Sequence, residues 1–185
     1  MKKIVAVIGD ANIDNDPAKY QIAFETGKLL VDNGYRVKSG GLRGVMKAVF
    51  EGAKASSNYK EGDTIAILPG FDKYVANEYV DIAIPTGLDL MRNVIVANSD
   101  AVIAIGGGAG TLSEMASAWA LKRFLLAYDS VEGWSKKLAG TKLDDRVRFN
   151  GLEDQVWAIS TPESMIKFLN ENIDKYQTKY EVIKP

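Results

Sequence analysis

Short apolar, β-branched runs alternate along the chain with longer segments whose apolar residues recur every three or four positions. Ile4–Ile8 predicts a fully buried strand. Asp16-Pro17 supplies an N-cap and a proline at the first helical position. Tyr20, Ala23, Phe24, Gly27, Leu30 and Val31 then follow at helical spacing until Asn33-Gly34 ends the helix. Tyr35–Val37 predicts a second strand, and residues 44–55 a helix with Val45, Ala48, Val49 and Gly52 on one face. Thr64–Leu68 predicts a third strand, stopped by Pro69-Gly70, and Val80–Ile84 a short one before Pro85. The spacing predicts a helix over 88–98 with Met91, Val94 and Ile95 turned inward. Ala101–Ile105 is the next strand, followed by a helix from Thr111 to about Arg123 and a strand over Phe124–Ala127. Residues 129–153 are polar and carry no clear period. Val156–Ile159 predicts a last strand, Thr161-Pro162 caps a terminal helix carrying Ile166, Leu169 and Ile173, and the charged tail from Asp174 on is expected to fray.

Alternating strands and helices predict a three-layer, Rossmann-like, doubly wound α/β fold, with a mostly parallel sheet and helices on both faces. No repeat or linker interrupts it, so one nucleotide-binding domain over 1–185 is expected. In such sheets ligands bind outside the carboxyl ends of the strands, where the strand order reverses.

Three of the predicted strands end in special sequence. Gly9-Asp10-Ala11-Asn12 follows the first, and Ser39-Gly40-Gly41-Leu42-Arg43-Gly44 the second. Gly106-Gly107-Gly108-Ala109-Gly110-Thr111-Leu112-Ser113-Glu114 follows the strand over 101–105. In a parallel sheet all three emerge on one edge. Four glycines running into a helix let the backbone approach an anion, and the helix N-terminus offers free amides and the positive end of its dipole. A Walker motif is absent, and the dinucleotide fingerprint fails because Thr111 stands where its third glycine would fall. Thr111 and Glu114 also have the spacing of a capping box, which would make Glu114 a helix cap. If Leu112, Met115, Ala116 and Trp119 mark the buried face, Glu114 lies opposite, on the rim. Arg92 stands in a segment arriving at the same edge and could meet a phosphate or Glu114. Arg43 is expected to be solvated. Tyr74, Tyr79 and Trp134 are expected to serve core or interface packing rather than to stack on a base.

The chain has 185 residues, a net charge of −1, and neither cysteine nor histidine. Disulfides, Cys or His metal sites, thiol nucleophiles and Ser-His triads are excluded, and no metal site is expected. The charge favours neither nucleic acid nor an anionic membrane. No apolar run approaches the ~20 residues of a membrane span, and Ile4–Ile8 is too short for a signal peptide. A cytoplasmic location is therefore expected.

The Gly107–Glu114 motif resembles that of the LOG family, phosphoribohydrolases that activate cytokinins and are often mislabelled lysine decarboxylases. All but the leading proline of the family's P-G-G-x-G-T-x-x-E motif is present, that position being Gly106. Arg92-Asn93 is similar to the family's Arg-Lys pair. Gly40-Gly41 with Gly44-Val45-Met46 is similar to its G-G…G-L-M segment, and Gly9-Asp10-Ala11 stands at its Gly-Ser-Ser loop. The similarity runs over about residues 3 to 127. The departures at Asp10 and Asn93 look closer to a sister branch that includes molybdenum cofactor carrier proteins. No lysine setting supports a decarboxylase.

The resemblance implies catalytic roles for Arg92 and Glu114. It implies phosphate or nucleotide binding by Gly9, Asp10, Gly40, Gly41, Gly44, Asn93, Gly107, Gly108, Gly110 and Thr111. Two activities follow from it. One is hydrolysis of the N-glycosidic bond of a nucleoside 5′-monophosphate to free base and ribose 5-phosphate. The other is non-catalytic carriage or sensing of a phosphate-bearing ligand, such as a nucleotide or molybdenum cofactor. Neither requires a resident cofactor. The implied partners are the small phosphorylated ligand and further copies of the chain, as a homodimer or tetramer with the site near the interface.

Overall fold

The computed structural model describes residues 1–176, and its elements follow the predicted alternation. Seven strands, β1 Ile4–Gly9, β2 Arg36–Ser39, β3 Thr64–Leu68, β4 Ile82–Pro85, β5 Ala101–Ile105, β6 Phe124–Tyr128 and β7 Trp157–Ile159, form one sheet. The order is β4-β3-β2-β1-β5-β6-β7, and every pairing is parallel. The chain winds outward from β1 through β2 and β3 to β4, then returns to β5 and winds the other way. Right-handed crossovers in opposite directions put their helices on opposite faces. Accordingly α1 Pro17–Asp32, α2 Val45–Lys54 and α6 Pro162–Asn172 cover one face. The other face is covered by α3 Asn93–Ala97, α4 Ala109–Ala120 and α5 Trp134–Leu138. The central strands are buried on both sides, which is why they are uninterrupted apolar runs.

Asp16 caps α1 by accepting from the Lys19 amide at 2.9 Å, with Pro17 opening the helix. Glycines let α1 and α2 cross in near backbone contact: a Cβ at Gly27 would overlap the Val49 carbonyl, and one at Gly52 the Phe24 carbonyl.

Several expectations shift. β2 extends through Lys38 and Ser39 instead of starting at Tyr35. The helix expected over 88–98 is a 3-10 turn, Asp89–Arg92, joined to the short α3. Its inward residues are Asn93, Val96 and Ala97, whereas Met91, Val94 and Ile95 are exposed. Met91, Val94 and Ile95 do share one face, but that face points away from the sheet; Asp89, with φ +48, opens the turn that precedes it. Residues 129–153 contain α5. The last helix continues as a 3-10 turn, Ile173–Tyr176, and Tyr176 stacks on Phe124 with ring centroids 4.2 Å apart, so the fold is ordered past Asp174. The remainder of the expected frayed tail, 177–185, lies outside the described residues. Among the described residues no helix is long and apolar enough to cross a membrane.

Candidate functional site

The order of strands reverses between β1 and β5, so the loops that leave them part to opposite faces and open a crevice between them. A cavity of about 340 Å³ lies there. Its wall is built from Gly9, Asp10 and Ala11 after β1, Ser39 and Gly40 at the end of β2, and Gly108, Gly110 and Thr111 at the start of α4. Leu90, Arg92 and Asn93 close one side and Glu114 stands at the back. The three loops that sequence places on one edge therefore converge on one space.

The glycine loop is held from behind. Gly106 N–H donates to Ser135 Oγ at 2.8 Å, and Ser135 Oγ donates in turn to the Tyr128 carbonyl at 2.7 Å. Gly107 N–H donates to Asp10 Oδ2 at 2.9 Å. The same carboxylate oxygen accepts from Lys19 Nζ at 2.7 Å, and Lys19 is buried. Both loop glycines have positive φ, +63 and +96, a backbone shape that suits glycine. An internal carboxylate thus fills the anion position at Gly107. The donors left facing the cavity are those of the first turn of α4, whose amides have no acceptor within the helix.

Glu114 is not a cap. Helix α4 begins two residues earlier than expected, Gly108 is its N-cap, and no side chain caps it. Thr111, Glu114, Met115, Ala118 and Trp119 form the buried stripe, and Glu114 is 8% exposed rather than on the rim. Ala116, expected to be inward, is exposed. Burial pushes the Glu114 carboxyl up to about 7, against the pull of Arg92. Arg92 Nη1 lies 3.6 Å from Glu114 Oε1, too far for a hydrogen bond, and has no hydrogen-bond partner although it is buried. A Cβ at Gly40 would overlap the guanidinium, so glycine there makes room for Arg92. The cavity therefore holds a carboxyl near its half-titration point beside an under-bonded cation, a pairing typical of functional sites.

Of the residues singled out from sequence, Gly9, Asp10, Gly40, Arg92, Asn93, Gly108, Gly110, Thr111 and Glu114 line the cavity. Gly41, Gly44 and Gly107 do not. Gly41 packs toward Ala66 and Leu68, Gly44 lies against the Asp10 and Ala11 backbone as the N-cap of α2, and Gly107 turns its amide to Asp10. Asn93 Nδ2 donates to Ser113 Oγ at 2.7 Å, joining α3 to α4. Arg43 is exposed, as expected. Trp134 packs against the core on the α4 side and Tyr79 against that on the α1 side, whereas Tyr74 is 84% exposed. Lys19 and Ser135 carry no sequence signal, because no motif marks the contact of Lys19 with Asp10 or of Ser135 with the Gly106 amide.

A family model described as the SLOG cluster4 family matches residues 2–165. An uncharacterized protein of Archaeoglobus fulgidus is 43% identical over 115 residues, covering 62% of this chain and 72% of that one. The molybdenum cofactor binding protein from Rippkaea orientalis has a similar structure, with a TM-score of 0.77 and 33% identity over 94% of this chain and 98% of its own. The molybdenum cofactor carrier protein of Chlamydomonas reinhardtii gives a TM-score of 0.74 and 28% identity over 92% and 98%.

Proposed function

The chain belongs to the SLOG cluster4 family, a LOG-like group, and from that premise we propose that its crevice carries a small phosphate-bearing ligand without turning it over. Molybdenum cofactor is the first cargo to test and a nucleotide the second. The observation that carries this reading is the division of the glycine loop. Asp10 occupies the Gly107 amide, while the first turn of α4 and the under-bonded Arg92 face one cavity. The amides of Gly110 and Thr111, with the helix dipole, hold the phosphate, and Arg92 pairs with it. Gly108, with open space where a Cβ would stand, lets the ligand approach the backbone. Glu114, protonated for part of the time at neutral pH, hydrogen-bonds a polar group of the ligand. The likeness to molybdenum cofactor binding and carrier proteins over nearly the whole chain supports this cargo.

A second reading is favoured by the Arg92–Glu114 pair itself. A carboxyl with its pKa near neutrality suits general acid–base work. In a nucleoside 5′-monophosphate hydrolase Glu114 would face the positive charge developing on the ribose. Water would add to the anomeric carbon as the bond to the base breaks, and its proton would end on the departing base.

One experiment separates the two. The full chain is incubated with nucleoside 5′-monophosphates and, separately, with molybdenum cofactor. Chromatography follows free base and thermal unfolding follows binding. Carriage predicts a rise in Tm without base release; ligand at a hundred times Kd adds about 2.7 kcal/mol. Arg92→Gln should abolish the rise. Base release that is lost in Glu114→Gln overturns carriage in favour of hydrolysis. No Tm shift with any phosphate ligand overturns both.

We also infer that the protein is a homodimer built on the face around α3. Ile82 and Ile84 of the edge strand β4, with Leu88, Leu90, Met91, Val94 and Ile95, expose apolar side chains together. Leu90 also lines the cavity, which supports an interface beside the site.

A further inference from the structure

We propose that Lys38 is the positioning residue for Arg92: its ammonium, rising from the middle of the sheet, holds the carbonyl end of the 89–98 segment and so sets where the guanidinium stands over Gly40. The inference rests on the reading of Arg92 as a ligand-binding residue, though its central test does not need the ligand.

Lys38 occupies a place where an apolar residue would be ordinary. It stands on β2 in register with Ala6 of β1 and Ile65 of β3, both part of the core under α3 and α4. It is only 7% exposed. Its Nζ donates to the carbonyls of Ile95 and Asn98, each at 2.8 Å. Burial pulls its pKa down to about 8, with Arg123 adding to the fall and Asp100 opposing it. Burying an amine is unfavourable unless its donors are satisfied, and here they are satisfied by one short segment.

The segment has other anchors: Val96 and Ala97 are fully buried, Asp89 N–H donates to the Pro69 carbonyl at 3.0 Å, and Arg123 Nη2 donates to Asn98 Oδ1; Lys38 adds the hold on the carbonyls of Ile95 and Asn98 from within the sheet. Helix α3 has five residues, far fewer than a helix needs to persist on its own. Its outer residues, Met91, Val94 and Ile95, are exposed, and only Asn93, Val96 and Ala97 face the sheet. Asn93 ties the front of the segment to Ser113, and Lys38 ties the back. Arg92 directly precedes Asn93, and its guanidinium fits into the space that glycine leaves at position 40, two residues after Lys38. The strand that ends in the cavity wall thus carries the residue that fixes the opposite wall.

The test reads the position of Arg92 through Glu114, whose carboxyl Arg92 pulls down. The titration of Glu114 is followed by side-chain NMR in the full chain, in the wild type, Lys38→Met, Arg92→Gln and the double variant. Lys38→Met should shift the Glu114 midpoint upward, in the same direction as Arg92→Gln, and should add nothing in the Arg92→Gln background. In parallel, affinity for inorganic phosphate and for adenosine 5′-monophosphate should fall about ten-fold in Lys38→Met, and less than two-fold further when added to Arg92→Gln. An unchanged midpoint in Lys38→Met overturns the proposal. So does a shift that persists in full without Arg92, because Lys38 would then act on Glu114 directly. If Lys38→Met does not fold, Lys38→Gln takes its place with the same readouts. Absence of phosphate binding in the wild type, alongside a coupled Glu114 shift, would refute the ligand reading and leave the tether standing.

Discussion

Glu114 is the residue where function and stability pull apart. Its carboxyl titrates near 4.5 in an unfolded chain and near 7 in the fold, because burial disfavours the charged form more than Arg92 restores it. A raised folded pKa means that the folded state holds its proton longer. The stability this contributes is present below about pH 4.5 and lost as pH climbs through 7. Above neutrality the fold carries a buried carboxylate that it tolerates only beside Arg92. Glu114→Gln should therefore leave stability unchanged near pH 4.5 and raise it at pH 8, by up to about 3 kcal/mol. At this chain length each kcal/mol is worth roughly 2–4 °C. Thermal unfolding of both proteins across pH 4.5–8 checks this, and a variant less stable at pH 8 would mean that the Arg92 contact outweighs desolvation. Glu114→Ala, which does remove the polar group that faces the cavity, should weaken binding.

At the scale of elements, the contact between α1 and α2 depends on the absence of two side chains. A methyl at position 52 would meet the Phe24 carbonyl, which belongs to rigid backbone and cannot yield. Overpacking of this kind costs about 1–3 kcal/mol, more where helices must separate. Gly52→Ala should lower the urea midpoint accordingly without changing the m-value; an unaltered midpoint would show that the helices slide apart freely. Both glycines are visible in the sequence as part of the apolar stripes, though not the close crossing of their helices. This marks the general limit of legibility. The alternation of strands and helices and the three loops on one edge are readable because each is written in local period or in a motif, whereas the approach of Arg92 to Glu114 is one of two alternatives the sequence leaves open. The inward face of the 89–98 segment is not readable. Periodicity groups Met91, Val94 and Ile95 on one face, as they are, but does not say whether that face meets the sheet or looks outward. Glu114 was placed on the rim for a similar reason. Thr111 has the spacing of a cap, but the buried stripe is centred on Thr111, Met115 and Ala118 rather than on Leu112 and Ala116, and Glu114 falls within it. The role of Asp10 as an internal anion joins residues 97 positions apart, and no local signal reports such a contact.

At the scale of the whole molecule, the unevenly covered sheet is the feature on which the proposed dimer rests. β7, at one edge, has its outward residues packed by α6, and Trp157 lies against Phe168 with centroids 5.1 Å apart. At the other edge β4 leaves Ile82 and Ile84 43% exposed each. Beside them stand Leu90 and Met91, 70% and 69% exposed, on a segment whose inner side is made of small residues. Apolar surface gathered in this way marks an interface, since scattered exposed leucines need no explanation but a contiguous cluster does. A second copy that covers it with its own matching patch makes a two-fold contact. Because Leu90 belongs both to this patch and to the cavity wall, dimerisation would also narrow the mouth of the site. Light scattering should therefore give twice the 20.2 kDa chain mass for the wild type and a single chain mass for Met91→Asp. The monomeric variant should keep its fold, because Met91 makes no part of the core, yet bind phosphate ligands several-fold more weakly. A monomeric wild type, or a dimer unaffected by a charge at position 91, would refute this interface. A monomer that binds ligand as tightly as the dimer would refute only its link to the site.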